Sequence, residues 1–332
     1  MLRPDSDEDI SEDRSQLSTN LKADDAIAGI SFYQGLGCLT IKQKNMILIT
    51  GATGFLGAAI VENLLKTLEP KELAIYARNA AKAKKWKDLG LSVRIGDFKN
   101  VEALKAGMRE ITKIVLIPTS DKDSFNQHKN VIDVSTQAKI NHLFYVGGAI
   151  NHNVRATRLG PLKDAYFATE NYIRQSGIAY TMIQNGFYAE VIPFFVGERL
   201  PVNSVIFPSG EGKASFAKRE EMGEAIANII LMGQKVNASY TLTGNHAYSF
   251  GEIAEILGEL TGKKIGFENP QPKDFVKQLR QYGIDKQHAS IAAHFAALIK
   301  NNEFSICDST LEQVLGRTPT SLKDYLADQY LK

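Results

Sequence analysis

Cysteine is nearly missing from the 332 residues. Only Cys38 and Cys307 occur, far apart and without the spacing of a disulfide framework or a metal site, so the chain reads as one for a reducing compartment. Neither sign of charge is in excess: Lys and Arg total 39 against 37 Asp and Glu, a balance that leaves no electrostatic footprint for nucleic acid. No uninterrupted apolar stretch approaches the roughly twenty residues of a membrane helix. The start, MLRPDSDEDISEDRSQ, carries six carboxylates between Asp5 and Asp13, where a secretory leader needs an apolar core. The six histidines are scattered, His142 and His152 coming closest to a pair, and no metal site is expected. There is no internal repeat. These absences together point to a cytoplasmic protein with neither nucleic acid nor membrane as partner.

What is present is enough apolar material, 44% of residues, for roughly two domains. The acidic start predicts a solvated tail over residues 1 to about 25. Residues 26–45 carry Gly29, Gly35 and Gly37 but no sustained period, so 1–45 is expected to be a disordered or loosely structured extension, with a regulatory or partner-binding arm as the alternative. From Met46 onward short apolar runs alternate with amphipathic stretches, the pattern of parallel strands joined by crossover helices. Six strands are expected, at 46–50, 73–77, 91–95, 113–118, 142–147 and 179–184. The intervening helices read GAAIVENLLKTL, VEALKAGM, SFNQHKNVIDVSTQAK and DAYFATENYIRQSG. Several strands are continuously apolar, as when helices cover both faces of a sheet. The predicted fold is an α/β, Rossmann-type doubly wound parallel sheet over 46–185.

Beyond Asn185 the texture changes. Pro193, Pro201 and Pro208 and many aromatics punctuate the stretch to about Ser215, and amphipathic patterns then resume, with Ser249 and Glu252, and Ser309 and Glu312, spaced as capping boxes. Residues 186–332 are therefore expected to form mainly a smaller, mostly helical C-terminal substrate lobe.

MILITGATGFLG, residues 46–57, places three glycines between a strand and an amphipathic helix. Gly51 permits the tight turn, Gly54 lets a pyrophosphate approach, and Gly57 lets the helix pack on the strand, with the helix amides facing the phosphates. The second strand, LAIYARN, ends in Arg78 instead of the acid that accepts from a ribose 2′-hydroxyl. A guanidinium there suits a 2′-phosphate, so NADPH is favoured over NADH.

TGATGFLG, with Thr50, Ala52, Thr53, Phe55 and Leu56 around the glycines, resembles the short-chain dehydrogenase/reductase superfamily. The Tyr and Lys of its classical members, four residues apart on one helix face, are missing: Tyr166 is followed by Glu170, Lys163 lies three before it, and the one YxxxK, Tyr282 to Lys286, is far downstream. ATENYIRQSGIAYTMIQNGFYAE, FPSGEGKASFAKREEMGEAIA and LGRTPTSLKDYL instead resemble the atypical NmrA-like branch, which holds triphenylmethane reductases and type 2 NADPH:quinone oxidoreductases, over essentially all of 46–332. The resemblance implies an NADPH-dependent reductase of quinone-like or other flat electrophilic acceptors, for which positioning outweighs a dedicated acid. It also implies a small-molecule acceptor as partner, in a monomer or homodimer. The alternative is an NmrA-type NADP(H)-binding redox sensor without turnover, and a nucleotide-sugar epimerase ranks last for want of the Tyr and Lys.

By the same resemblance, Asp97 and Phe98 would contact adenine, and Pro118, Thr119 and Gly147 would lie near the nicotinamide. Asn185, Phe187 and Tyr188 would orient and wall the acceptor, their alternative being ordinary packing, and Tyr166 is the candidate proton donor, with a structural tyrosine as its alternative. The chain departs from the branch at three places: Gln184 replaces a frequent Arg, Gly147 and Gly148 stand where Ser or Thr is common, and Tyr166 where the reductases tend to carry His.

Overall fold

In the computed structural model, which describes residues 45–331 except 120, 122, 152–160, 202 and 234–235, and only the backbone of 161–164, the apolar runs become a parallel sheet covered on both faces. Its first strands and helices follow in alternation: β1 (Met46–Thr50), α1 (Phe55–Leu64), β2 (Leu73–Ala77), α2 (Lys84–Asp88), β3 (Ser92–Ile95), α3 (Val101–Gly107), β4 (Ile111–Leu116), α4 (Ser124–Gln137), β5 (His142–Gly148), α5 (Pro161–Gln175) and β6 (Tyr180–Asn185). The reason for continuously apolar strands is visible in β1. Ile47 and Ile49 enter the core under α1, while Met46 and Leu48 enter the core under α3 and α4, because successive side chains point to opposite faces.

The expected acidic arm, with Cys38, lies outside the described residues, as does His152. His142 belongs to the sheet core: it is fully buried, 2.8 Å from Thr181 Oγ1 and tilted against Phe144.

After β6 the chain forms β7 (Phe187–Tyr188), α6 (Ile192–Val196), β8 (Ser204–Ile206), β9 (Lys213–Ala217), α7 (Arg219–Leu231) and β10 (Ala238–Leu242). It ends through β11 (Ala247–Ser249), α8 (Phe250–Thr261), β12 (Gly266–Glu268), α9 (Pro272–Gln281), α10 (Lys286–Lys300), α11 (Thr310–Leu315) and α12 (Leu322–Leu331). The sheet has seven strands where six were expected, in the order β10-β6-β5-β4-β1-β2-β3. The extra one, ASYTL, pairs in parallel with β6 from Ala238 opposite Thr181 to Leu242 opposite Asn185. Only Leu242 of this edge strand is fully buried, so its sequence lacks the apolar run that marks the interior strands.

The chain after residue 185 is thus not confined to a lobe. Helices α7 and α11 return to the core around α1, while a second core of Phe187, Phe195, Phe207, Phe216 and Phe250 gathers β7, β9 and α8. The Ser249 capping box forms, Ser249 Oγ accepting from Glu252 N at 3.1 Å and Glu252 Oε2 from Ser249 N at 2.7 Å. The expected box at Ser309 does not. Ser309 is itself helical (ψ 0°) and makes no side-chain cap, since a cap hydroxyl reaches the first-turn amides from an extended backbone. Glu312 instead accepts from Asn245 and Thr318, both at 2.8 Å. Tyr282 caps the end of α9 and Lys286 opens α10, with Gly283 at φ +85° between them, so the two do not share a helix face.

Helix α7 lies so close to α1 that a Cβ on Gly223 would sit 2.5 Å from the Ala59 Cβ. Gly223→Ala should therefore lower the urea midpoint at unchanged m-value, by about 1–3 kcal/mol of overpacking, less up to about 1 kcal/mol of helix propensity. A stabilised variant would show that this contact yields freely.

Candidate active site

The glycine loop owes its shape to three local anchors. Thr50 Oγ1, at the end of β1, donates to Val115 O at 3.1 Å and accepts from Ile117 N at 2.9 Å, tying β1 to β4. Gly51 turns at φ +67°, where a side chain is strained. Trp86 of α2, fully buried, donates from Nε1 to Ala52 O at 2.9 Å. A Cβ on Gly57 would stand 2.3 Å from Gly51 O, so only glycine lets α1 start this close to the strand. At its N-terminus Gly54 supplies no side-chain cap and the first turn holds no acid. The first-turn amides therefore meet no side-chain anion, and the helix end suits an external one.

A cleft of about 240 Å³ opens from this loop along the carboxyl ends of β2, β3 and β4. Of the residues expected to hold a cofactor, Gly51, Thr53, Arg78, Phe98, Pro118 and Thr119 line it. Ala52 and Leu56 turn their side chains into the core, and Phe55 points out, 83% exposed. The Asp97 carboxylate accepts from Lys99 N at 2.9 Å, which shapes the turn after β3. Tyr76, a cleft residue that the sequence did not single out, stacks on Phe98 at 5.9 Å, and burial pushes its phenol up to about 12. Arg78 reaches Asp121 across the cleft, Nη1 to Oδ2 at 3.8 Å. The Asp121 carboxyl is held below its ordinary range, first by the hydrogen bond from Gln127 and also by the Arg78 charge.

The far wall of the cleft is pinned by a buried histidine. Thr119 N donates to His128 Nε2 at 3.1 Å, and His128 Nδ1 lies 3.0 Å from Thr169 Oγ1. Since Thr169 Oγ1 donates to Ala165 O at 2.7 Å, its free role is acceptor. We therefore assign the proton of a neutral His128 to Nδ1.

A second cavity, about 170 Å³, lies at the carboxyl ends of β5 and β6. Gly147, Tyr166, Asn185, Phe187 and Tyr188 all line it, so the expected acceptor residues, the candidate donor and one expected nicotinamide neighbour come together. Burial pushes the Tyr166 phenol up to about 12 and raises that of Tyr188. Lys163 has no described side chain. Asn185 Nδ2 donates to the Tyr188 hydroxyl at 3.4 Å, while its Oδ1 is buried without a hydrogen-bond partner. Phe187 forms an aromatic wall, meeting Phe304 edge-on at 4.3 Å and Phe295 at 5.4 Å.

The opposite wall comes from elements over a hundred residues downstream, His294, Phe295 and Leu298 of α10 and Glu303 and Phe304 after it. None of these was anticipated, since a helix reading HASIAAHFAALIK shows that it has an apolar face but not what that face covers. Arg219 was missed as well. Its guanidinium lies 5.3 Å over Phe55 and 4.6 Å over Tyr188, touching the glycine loop and the second cavity at once.

A sequence model described as the NmrA-like family matches residues 43–330. The chain belongs to that family. Quinone oxidoreductase 2 of Escherichia coli is 29% identical over 84% of this chain and 96% of its own. An NAD(P)H azoreductase of Xenophilus azovorans is 22% identical over 84% of this chain and 96% of its own. Among solved structures, the NADPH complex of the E. coli quinone oxidoreductase QOR2 superposes with a TM-score of 0.78 at 28% identity, covering 85% of this chain and 99% of that one. The NADP(H) complex of Citrobacter sp. triphenylmethane reductase gives 0.77 at 27% identity, with 86% and 99% covered. Among the described residues no helix is long and apolar enough to cross a membrane.

Burial lowers the His128 imidazole from 6.5 to about 4. Above pH 6.5 it is neutral whether the chain is folded or not. Below that, the unfolded chain takes up a proton that the folded one refuses, so stability falls as pH drops from 6.5 to 4, by on the order of 3 kcal/mol from this group. Buried His142, lowered to about 4 by burial and by Lys113, adds to the trend. Urea titrations across that range should show the decline reduced in His128→Gln; an unchanged slope would show that His128 is not the group responsible.

Proposed function

We propose that this protein is an NADPH-dependent reductase that passes a hydride to quinone-like or other flat electrophilic acceptors. The observation that carries this reading is the pairing of two spaces along one sheet edge. The polar cleft spans β1 to β4 and the aromatic cavity spans β5 and β6, and β5 is the neighbour of β4. A dinucleotide laid across the switch between β1 and β4 would have its reactive end at the mouth of a cavity with walls suited to a flat ring.

In this reading the loop from Gly51 through Ala52, Thr53, Gly54, Phe55, Leu56 and Gly57 holds the pyrophosphate, largely by main-chain amides, since Ala52 and Leu56 are turned inward. Arg78 takes the 2′-phosphate, and Asp97 and Phe98 border the adenine. Pro118, Thr119 and Gly147 border the nicotinamide, the cofactor group that supplies the hydride. Asn185, Phe187 and Tyr188 orient the acceptor, and Tyr166, protonated throughout the neutral range, offers it a hydrogen bond. The relatives named for quinone and azo reduction, and the related structures holding NADPH or NADP(H), support the same class of reaction. No Tyr–Lys relay is needed, because a stacked electrophilic ring accepts hydride once it is positioned.

Steady-state NADPH oxidation with a panel of quinones, azo dyes and triphenylmethane dyes tests the proposal, and acceptor-dependent turnover is expected. Calorimetric binding of both NADP⁺ and NADPH, with no acceptor stimulating oxidation, would replace it with the sensor reading. Arg78→Ala should weaken NADPH binding by about 1.5–3 kcal/mol, the worth of a charge-assisted bond, and leave NADH nearly unchanged. Equal losses for both cofactors would remove the 2′-phosphate from Arg78.

A further inference from the structure

Hydride is half of what a quinone needs. Two electrons and one hydrogen leave an oxyanion, and a proton must follow to complete the hydroquinone. Among the described residues, four ionisable side chains border the cavity: Tyr166 from α5, Tyr188 from β7, His294 from α10 and Glu303 from the loop beyond it. On α10 itself the nearest other charged or titratable residues are His288 and Lys300. The two tyrosines are poor sources. Burial pushes Tyr166 to about 12, whereas a hydroquinone is a phenol that ordinarily titrates near 10. Transfer from Tyr166 would therefore run against a roughly hundredfold equilibrium. Glu303 is fully buried, so it has no direct exchange with water.

His294 combines two properties that these groups lack. An imidazole can carry and release a proton at its ring nitrogens, and His294 is solvent-exposed while also lining the cavity. A donor in that position can reach an acceptor on one side and be recharged from water on the other. We propose that His294 delivers the proton that completes reduction of quinone-like acceptors, an inference that rests on the reductase reading. In the step, the C4–H bond of the dihydronicotinamide breaks as hydrogen and electron pair pass to the quinone, which is reduced while the nicotinamide is oxidised. The imidazolium N–H bond breaks as its proton joins the quinone oxygen, and the neutral imidazole regains a proton from water. Tyr166 and Tyr188 hold the ring without titrating.

Two acceptors separate proton delivery from hydride delivery. A 1,4-benzoquinone needs both, whereas a cationic triphenylmethane dye needs hydride alone, because the hydride itself neutralises the cation. His294→Gln should lower the ratio of quinone to dye kcat/KM by about a hundredfold, within the usual range for a general acid, and should flatten the alkaline fall of quinone turnover. The substitution is at an exposed helix position, where folding is little affected. A second readout needs no turnover: binding of 4-nitrophenol should favour the phenolate as pH falls toward neutrality in the natural protein, and lose that pH dependence in the variant. An unchanged quinone-to-dye ratio, or equal losses with both acceptors, would overturn the proposal, as would a ratio shifted by Glu303→Gln and not by His294→Gln. If the natural protein oxidises NADPH with neither acceptor, the reductase reading fails, and the role of His294 with it.

Discussion

The turn that carries β1 into α1 depends on how closely the chain approaches itself there. Thr50 joins β1 to the end of β4, Trp86 draws the Ala52 carbonyl toward α2, and Gly57 admits the Gly51 carbonyl to within a distance no side chain would tolerate. Each contact uses a carbonyl or a strand end; Gly54 N closes the turn on Gly51 O at 2.9 Å, and the first turn of α1 beyond it has no side-chain cap of its own. A strand, a glycine turn and a helix start can exist without a ligand. Here, though, the carbonyls are engaged inward while no acid or side-chain cap meets the helix end, which produces a local positive potential facing the cleft. The placement of the cleft follows from sheet order, since β1 and β4 are neighbours whose crossovers leave in opposite directions.

The later half of the chain does two jobs that its position in the sequence conceals. Through α7, α11 and β10 it completes the main sheet and the core around α1, and through β7 and α10 it closes the aromatic cavity. The joint between these roles is the start of α7. The Glu190 carboxylate accepts from Arg219 N at 3.0 and 3.2 Å, capping the helix from the segment that follows Tyr188. The Arg219 guanidinium then stacks over both Tyr188 and Phe55. The loop that would grip phosphate and the wall that would face the acceptor thus share one side chain, so displacement of either is felt by the other.

What the sequence made legible follows from how local each signal is. The interior strands were readable because burial on both faces writes a largely continuous apolar run, the half-buried edge strand β3 through the alternation of Leu91, Val93 and Ile95, and the glycine turn because each glycine answers a backbone requirement within seven residues. The Ser249 box could be read for the same reason, while Ser309 shows the limit: the spacing was right and the backbone conformation was not. β10 escaped because ASYTL buries only Leu242 fully and carries no apolar run. His294, Phe304 and Arg219 escaped because their meaning lies in what they face, and no spacing records a contact between residues a hundred positions apart. His128 was equally silent. A histidine on an amphipathic helix looks solvated until Thr119 and Thr169 are seen at its two nitrogens.

The second cavity is poor in polar groups, and those it has are unevenly satisfied. Gly148 keeps its floor open, whereas a Cβ at Gly147 would turn toward Tyr145 and Glu170. A Cβ at 148 would make ordinary contacts, 3.4 Å from Ile150 and 3.7 Å from Tyr166, so packing does not forbid a side chain there, but one would take up part of the cavity. Asn185 is only 4% exposed and leaves Oδ1 without a partner, a state that costs about 1–3 kcal/mol in a closed interior. An amide reorientation would only exchange which end is unpaired, because Tyr188 offers a single hydroxyl. On the reductase reading the deficit has a physical sense: a ligand with a polar group at that point gains a hydrogen bond that the empty protein cannot make for itself. Apolar walls of Phe187, Phe295 and Phe304 would hold a ring's faces without choosing among rings. Selection would then fall to the few polar groups that border it, Asn185, Tyr166, Tyr188, His294 and Glu303, which would leave the cavity tolerant of ring size and strict about where the ring carries its oxygen.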